Sequence, residues 1–452
     1  MQFDTPKISA ERLSVSLRLR QLLGSDILGG LSPCAKIVCF RSSMRLFPLS
    51  ELAFAMTIAG FLFLSHANQP EVVPEPAPDI LHAAATEAVG DVTESGSVLE
   101  QSAMTEGILA SSEAAPESVE VVLAAVRADN KTGIFLTAAS IAHDDFLLRT
   151  IEDLKTVSGT ALVFDVKGGS VLFHSAAPMA NEIGLVKSLY ELPEILALLK
   201  SHEIYSIGRF VAIKDDGLTR KLPATRIKHP ATGRVLSETW VDPSDDTAIA
   251  YNMEVVCELS AMGIDEINLD YIRFSTAEFG ALSVYSGTEK ADRIEKFIRA
   301  TRDTIDRCGP KTKLGLSTFA ILGWNYDNNV ETLGQDVVRF APLVDIISPM
   351  AYPATFSINA YYNPRKDPGS RMYYLVYRTL TGYQELLGPE QSKKLRPWIQ
   401  GYGVTTKNMT DQMNGVYDAG LCGFTVWNAN NAYAPTYSAM KKERKRPERC
   451  GS

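Results

Sequence analysis

The stretch "GIDEINLDYIRFS", residues 263–275, decides the fold. Side chains alternate across a β-strand, so Ile267 and Leu269 go to one face while Glu266, Asn268 and Asp270 go to the other. A core strand with three polar groups on one face needs an enclosed polar space for that face. A closed barrel supplies one, because inward side chains pack in layers and those at the carboxyl ends of the strands line the mouth. At about 3.3 Å per residue, Glu266 lies roughly 13 Å below Asp270. Asp270 is thus expected at the mouth, Asn268 one layer down, and Glu266 at the bottom in a structural ion pair.

Working outward from this strand, short apolar runs alternate with longer amphipathic stretches beyond Lys131. The runs are "GIFLTAA" (133–139), "ALVFDVK" (161–167), "IYSIGRFVAIKD" (204–215), "IDEINLD" (264–270), "KLGLSTFA" (313–320), "VDIISPMAY" (344–352), "RPWIQGY" (396–402) and "GFTVWNA" (423–429). Between them lie helical patterns. In "DPSDDTAIAYNMEVVCELSAMG", Ala248, Tyr251, Val255 and Leu259 form one stripe after an Asp-Pro-Ser start. In "EKADRIEKFIRATRDTIDRCG", Ile294, Phe297, Ile298, Thr301 and Ile305 do the same before Gly309. Eight strand–helix units predict an α/β fold of the (β/α)8 TIM barrel type rather than an open doubly wound sheet. No GxGxxG or P-loop motif follows the first strand, which argues against a nucleotide-binding open sheet.

The 452 residues are 45% hydrophobic and 22% charged, a globular composition. The formal net charge of −8 argues against a nucleic-acid partner. Six cysteines (Cys34, Cys39, Cys257, Cys308, Cys422 and Cys450) form no CxxC pair, so neither a zinc site nor a disulfide framework is indicated, and at most one or two bridges are possible. His143, His174 and His202 do not cluster at metal spacing, and no metal or other cofactor is expected.

The amino-terminal part reads differently. Met44 and Arg45 precede an uncharged run of 14 residues, "LAFAMTIAGFLFLS" (52–65), followed by Ser65 and Ala67 in the small-residue spacing of a cleavage site. This length suits a secretory signal better than a spanning helix, which needs about 20 apolar residues. Residues 1–43 read as an upstream extension with the true start at Met44, 44–67 as signal peptide or uncleaved anchor, and 68–127 as a disordered acidic linker. From Asn68 to Val126 there is no Lys or Arg and too little apolar bulk to offset ordering entropy. The barrel is placed at 128–440 and a basic tail at 441–452. The mature chain is expected to begin near Asn68, to be exported to the periplasm or beyond, and to meet a membrane only through an uncleaved leader.

The segment "INLDYIRFS" resembles the "DYIRFP" motif of a family of glycoside hydrolase-like barrels first described as a domain of unknown function. "WVDPSDDTAIAYN" (240–252) is similar to that family's Trp-x-x-Pro start of the helix before strand four. "GQDVVRFAPLVDIISPMAYPATF" (334–356) resembles its strand six, "RPWIQGY" its strand seven and "AGLCGFTVWNANNAY" (419–433) its strand eight. The resemblance covers about Lys131 to Tyr433. It implies an enzyme or binding barrel for a polysaccharide or oligosaccharide.

A more distant resemblance is to chitinase-type barrels of glycoside hydrolase family 18, with Asp-x-x-Asp-x-Asp-x-Glu on strand four, Met-x-Tyr on strand six and Trp closing strand eight. Asp265, Asn268, Asp270, Met350, Tyr352 and Trp427 fall at those positions, with Asn268 replacing the middle aspartate, but Ile272 stands where the glutamate would be. An isoleucine cannot protonate a leaving group. Glycoside hydrolysis therefore needs a different second carboxyl beside Asp270. Asp165 on strand two ranks first, since its parity with Val163 and Lys167 can turn it inward. Asp215, Asp216 and Glu278 are the other candidates, and strand five ends in Thr318 and Phe319 instead of an acid. Arg273 and Arg209 could clamp a carboxylate or hold Asp270 ionised. Trp427, Tyr352 and Trp398 are candidate platforms for a sugar ring, with core packing the preferred role for Trp398. Asn268, Tyr271, Met350, Gln400 and Asn428 complete the expected substrate-binding set. A glycan-binding barrel without catalysis is the alternative function.

Overall fold

Residues 130–442 are described by the computed structural model; the expected leader, linker and basic tail lie outside the described residues, apart from the tail's first two positions. Ten strands follow in chain order: β1 (Thr132–Leu136), β2 (Ala161–Lys167), β3 (Val171–Phe173), β4 (Val186–Tyr190), β5 (Tyr205–Val211), β6 (Glu266–Asp270), β7 (Lys313–Phe319), β8 (Ile346–Ala351), β9 (Trp398–Gln400) and β10 (Phe424–Trp427). Parallel pairings run β1–β2–β5–β6–β7–β8–β9–β10, and β10 pairs back onto β1. The eight expected runs are the eight barrel strands.

Two strands have no counterpart in the sequence reading. β3 folds back antiparallel on the end of β2, pairing Val171 with Lys167, and β4 lies parallel to β3. They are short, and Lys187, Ser188 and Leu189 in β4 are exposed, so neither carries a clear alternation. The Gly168-Gly169 pair between the two runs was the available signal, because consecutive glycines supply a tight hairpin. Every barrel strand except β2 is shorter than its quoted run. β1 stops at Leu136 because Thr137 caps the turn of helix 138–141, and β5 stops at Val211 because Asp215 caps helix 216–221.

The long helices follow their apolar stripes. Asp245 caps Asp246–Ala261, and Ala248, Tyr251, Val255 and Leu259 are buried. Ser286 and Glu289 form a capping box at the start of Gly287–Cys308, whose buried face includes Ile294, Phe297, Ile298, Thr301 and Ile305. A disulfide, Cys257–Cys308, joins these two helices across 51 residues, and Cys422 is disulfide-bonded as well. Closing a loop of that length in the unfolded chain stabilises the fold by about 4 kcal/mol in the chain-entropy account. Among the described residues, no helix is long and apolar enough to cross a membrane.

Alternation separates two apolar regions. Ile134, Leu136, Leu162, Phe164, Ile267 and Leu269 pack outward against the helices, whereas Phe135, Ala161, Val163, Ile207, Tyr352 and Trp398 form a separate cluster inside the ring. The polar face of β6 therefore looks into the barrel. At its floor Glu266 accepts from Arg396 Nη2 at 2.5 Å, with both side chains buried. Above it Asn268 Oδ1 accepts from Ser317 Oγ at 2.6 Å, and Ser317 Oγ accepts from Trp398 Nε1 at 3.0 Å. Gly315, opposite Asn268 on β7, leaves the room: a Cβ there would stand 2.5 Å from Glu266 Oε1 and 2.6 Å from Asn268 Nδ2.

Candidate active site

The carboxyl ends of β2, β5 and β6 bring Asp165, Arg209 and Asp270 together. Arg209 donates from Nη1 to Asp165 Oδ1 at 2.7 Å and from Nε and Nη2 to Asp270 Oδ2, each at 2.7 Å. Two carboxylates one hydrogen bond from a single guanidinium have their bonded oxygens no more than about 8 Å apart. The second oxygen of Asp270 accepts from the Tyr271 backbone N–H at 2.8 Å. Tyr271 has φ 52°, a left-handed conformation uncommon for an aromatic residue and one that clusters at functional sites.

The three side chains are 17%, 17% and 12% exposed for Arg209, Asp165 and Asp270, low enough for their charges to matter to one another. Burial pushes the Asp165 carboxyl above the usual carboxylate range; Arg209 opposes this, and the Asp270 charge adds to it. For Arg209, burial works against the charge, but Asp270 and Asp165 together hold its pKa above the ordinary arginine value. The site thus contains a permanent cation gripped by two carboxylates, one of which is biased towards its protonated form.

Beside the triad lies a group of rings. Tyr352 stacks on Trp427 at 5.9 Å and 27°, Tyr402 meets Trp427 edge-on at 5.3 Å, and Phe135 lies 6.5 Å from Trp427. Phe135 also faces the Arg209 guanidinium at 5.7 Å. Burial, and after it the Asp270 charge, raises the Tyr352 hydroxyl well above its usual pKa, which ties the rings electrostatically to the triad. Trp427 and Tyr402 are half-buried and can offer a face to a ring-shaped ligand, as aromatic groups with polar tips do.

Other expected site residues are already engaged. Asn268 is 1% exposed within the polar network below the mouth, and Trp398 is a core residue bonded to Ser317. Met350 packs against the inner apolar cluster. Gln400 accepts from Ala354 N and donates to the Tyr402 carbonyl, while Asn428 donates to the carbonyls of Gly401 and Ala432. Both hold mouth loops in place. Arg273 donates to the Phe274 carbonyl and packs over Phe319 at 4.6 Å and Trp240 at 4.9 Å; the cation at Asp270 is Arg209.

Two of the remaining three carboxyl candidates sit in other partnerships. Asp215 is buried against Lys167 at 2.6 Å, and Asp216 pairs with Arg220. Lys167 itself does not share Asp165's inward face. The β2–β5 register slips between Asp165 and Lys167, pairing them with consecutive residues Arg209 and Phe210, so Val166 is an extra residue and the alternation reverses. Tyr402 and Phe135, which the sequence reading did not single out, join the ring group; Tyr402 ends the quoted run "RPWIQGY", where its strand-end position was the available signal. Among the described residues, no group of three or more His, Cys, Asp or Glu could hold a metal ion.

Fold and mouth together define a (β/α)8 barrel with a carboxylate-bearing carboxyl-terminal face, where such barrels keep their active sites. The chain belongs to the family DUF4015, described as "Putative glycosyl hydrolase domain", which it matches over residues 133–433. Among curated proteins, none matches it. Among solved structures, a hypothetical protein from Ruminiclostridium thermocellum ATCC 27405 is 29% identical, with 41% of this chain and 96% of that one covered and a TM-score of 0.36. The endo-1,4-beta-D-mannanase of Thermotoga petrophila RKU-1 is 13% identical over 70% of this chain and 99% of its own, with a TM-score of 0.47. A beta-galactosidase from Marinomonas ef1 is 10% identical over 69% of this chain and 58% of its own, again with a TM-score of 0.47.

Proposed function

We propose that this barrel hydrolyses glycosidic bonds in an envelope or extracellular polysaccharide, with Asp165 as general acid and Asp270 as nucleophile or general base. The observation that carries the reading is the gripping of both carboxylates by one guanidinium beside the half-buried rings. Glycosidases use paired carboxyls about 5–5.5 Å apart for retention or 6.5–9.5 Å for inversion, and the upper bound set by Arg209 admits this chemistry. Environment divides the roles. Asp165, biased towards protonation, delivers its proton to the leaving glycosidic oxygen. Asp270, with three N–H donors aimed at it, attacks the anomeric carbon or draws a proton from the attacking water. Arg209 orients both carboxyls, and Trp427 and Tyr402 offer apolar surface to the sugar, with the buried Tyr352 stacked on Trp427.

The test is release of reducing ends from a panel of polysaccharides by the purified protein. Asp165→Asn is expected to lower turnover by about 10²- to 10⁴-fold, the usual contribution of a general acid. In the parent protein, kcat should fall as pH rises through the Asp165 titration, above the ordinary aspartate range, because only the protonated carboxyl can donate. Glycan binding without release from any substrate would replace the hydrolase with a binding barrel.

Location at the envelope follows the same line of proposal. The Cys257–Cys308 bridge supports an oxidising compartment, in accord with the signal-like run at 52–65. Amino-terminal sequencing of the native protein should find a start near Asn68; an intact chain in the cytoplasm would overturn the export reading.

A further inference from the structure

The bulge at Val166 sends Asp165 into the mouth and Lys167 to the outer layer, so the direction of the Asp165 carboxyl depends on one local irregularity. Three contacts hold that irregularity. On the outer side Lys167 Nζ, over the rings of Phe210 and Tyr251, donates to Asp215 Oδ2 at 2.6 Å and to the Val211 carbonyl at 3.1 Å. Asp215 in turn accepts from Leu218 N at 2.8 Å, which fixes the start of helix 216–221. Next to it the chain runs backbone against backbone: a Cβ on Gly217 would stand 1.8 Å from the Gly169 carbonyl oxygen. Also in the outer layer, Tyr190 of β4 donates its hydroxyl to the Asp165 main-chain carbonyl at 2.7 Å, with its ring edge-on to Phe164. A bulge interrupts the ladder, and here a side chain serves the carbonyl at the interruption.

We infer that Tyr190 and the buried Lys167–Asp215 pair are positioning residues that lock the β2 bulge and thereby aim the Asp165 carboxyl at Arg209. A fully buried ion pair adds little stability over an apolar pair of the same volume, so geometry is the better account of its place beside the bulge. It joins β2 to the loop after β5, the two strands that carry Asp165 and Arg209. The β3–β4 excursion gains a purpose too, since it delivers Tyr190 to the back of Asp165. The charged groups facing the Asp165 carboxyl are Arg209 from β5 and Asp270 from β6; the Tyr190 hydroxyl from β4 meets the Asp165 main-chain carbonyl, and Lys167 and Asp215 lie on the far side of the strand.

Only the kinetic arm of the test rests on the hydrolase reading. Two variants of the whole protein, Tyr190→Phe and the double Lys167→Met with Asp215→Leu, are compared with the parent by carboxyl carbon-13 NMR titration of Asp165 and by kcat and KM. Release of the bulge lets water reach Asp165, and the loss of burial, the largest cause of its raised pKa, outweighs the loss of the Arg209 contact that opposes it, so its titration should move to lower pH in both variants. The alkaline limb of kcat should move the same way. A small misplacement of the acid lowers kcat by roughly 10- to 100-fold with KM held. A merely structural role would lower Tm and leave the titration and KM-to-kcat split in place. Unchanged Asp165 titration in the folded variants overturns the inference, and Tyr190→Phe alone carries the decision if the double variant does not fold. If the titration moves but the parent releases no reducing ends, the positioning stands and the hydrolase reading falls.

Discussion

Asp270→Asn is expected to lower kcat by about 10³- to 10⁴-fold, equivalent to roughly 4–5.5 kcal/mol of transition-state stabilisation, with little change in substrate binding. The substitution keeps the planar shape and one carbonyl oxygen, so the fold around β6 and the acceptor for Tyr271 N survive. What it removes is the charge that would meet the developing oxocarbenium ion or draw the proton from water. A second effect has a predictable sign. The Asp270 charge adds to the raised pKa of Asp165 while Arg209 opposes it, so its removal leaves Arg209 less opposed and lowers the Asp165 pKa. The residual activity should therefore lose its alkaline limb at a lower pH than the parent. Measurement of kcat against pH for both proteins, with Tm as a check on folding, tests both parts. Parent-like turnover in Asp270→Asn would remove Asp270 from the chemistry.

The sequence showed the barrel and the polar face of β6 because both are written in period-two alternation, and Ile267 and Leu269 do pack outward from Glu266, Asn268 and Asp270. The floor ion pair was legible for the same reason, although its partner, Arg396, lies 130 positions away and has no local signature. Asp165 could be ranked first from its parity with Val163. The position of Lys167 could not, because parity assumes a regular ladder and one extra residue inverts every side chain beyond it. Gln400 and Asn428 look like ligand-binding amides at strand ends. Their bonds go instead to backbone groups of loops that only the folded chain brings near. Arg273 differs from Arg209 in the same way: sequence places both near the mouth, but strand register alone puts Arg209 between the two carboxylates. The Cys257–Cys308 bridge depends on the packing of helices 246–261 and 287–308, and cysteine spacing carries no trace of that.

The largest loss of stability is expected from Arg396→Met, at roughly 3–5 kcal/mol, the usual cost of breaking a buried ion pair by removing one partner. The Arg396 and Glu266 side chains are 1% and 0% exposed at the barrel floor, so Glu266 would keep its charge out of water without its guanidinium. Methionine fills most of the arginine stem's volume and adds no polar atom, which confines the change to the lost cation. The strain should pass upward, because Glu266 Oε1 lies 3.4 Å from Asn268 Nδ2, and Asn268 anchors the Ser317 hydroxyl that holds Trp398. The double variant Arg396→Met with Glu266→Gln should recover much of the loss, since no buried charge is left unpaired. Urea unfolding of the parent, both single variants and the double variant gives the coupling directly. Additive single losses would mean that the floor pair is not a unit. If the pair is structural, as its depth below Asp270 implies, the folded fraction of Arg396→Met should keep parent-like pH dependence of kcat even as its unfolding midpoint drops.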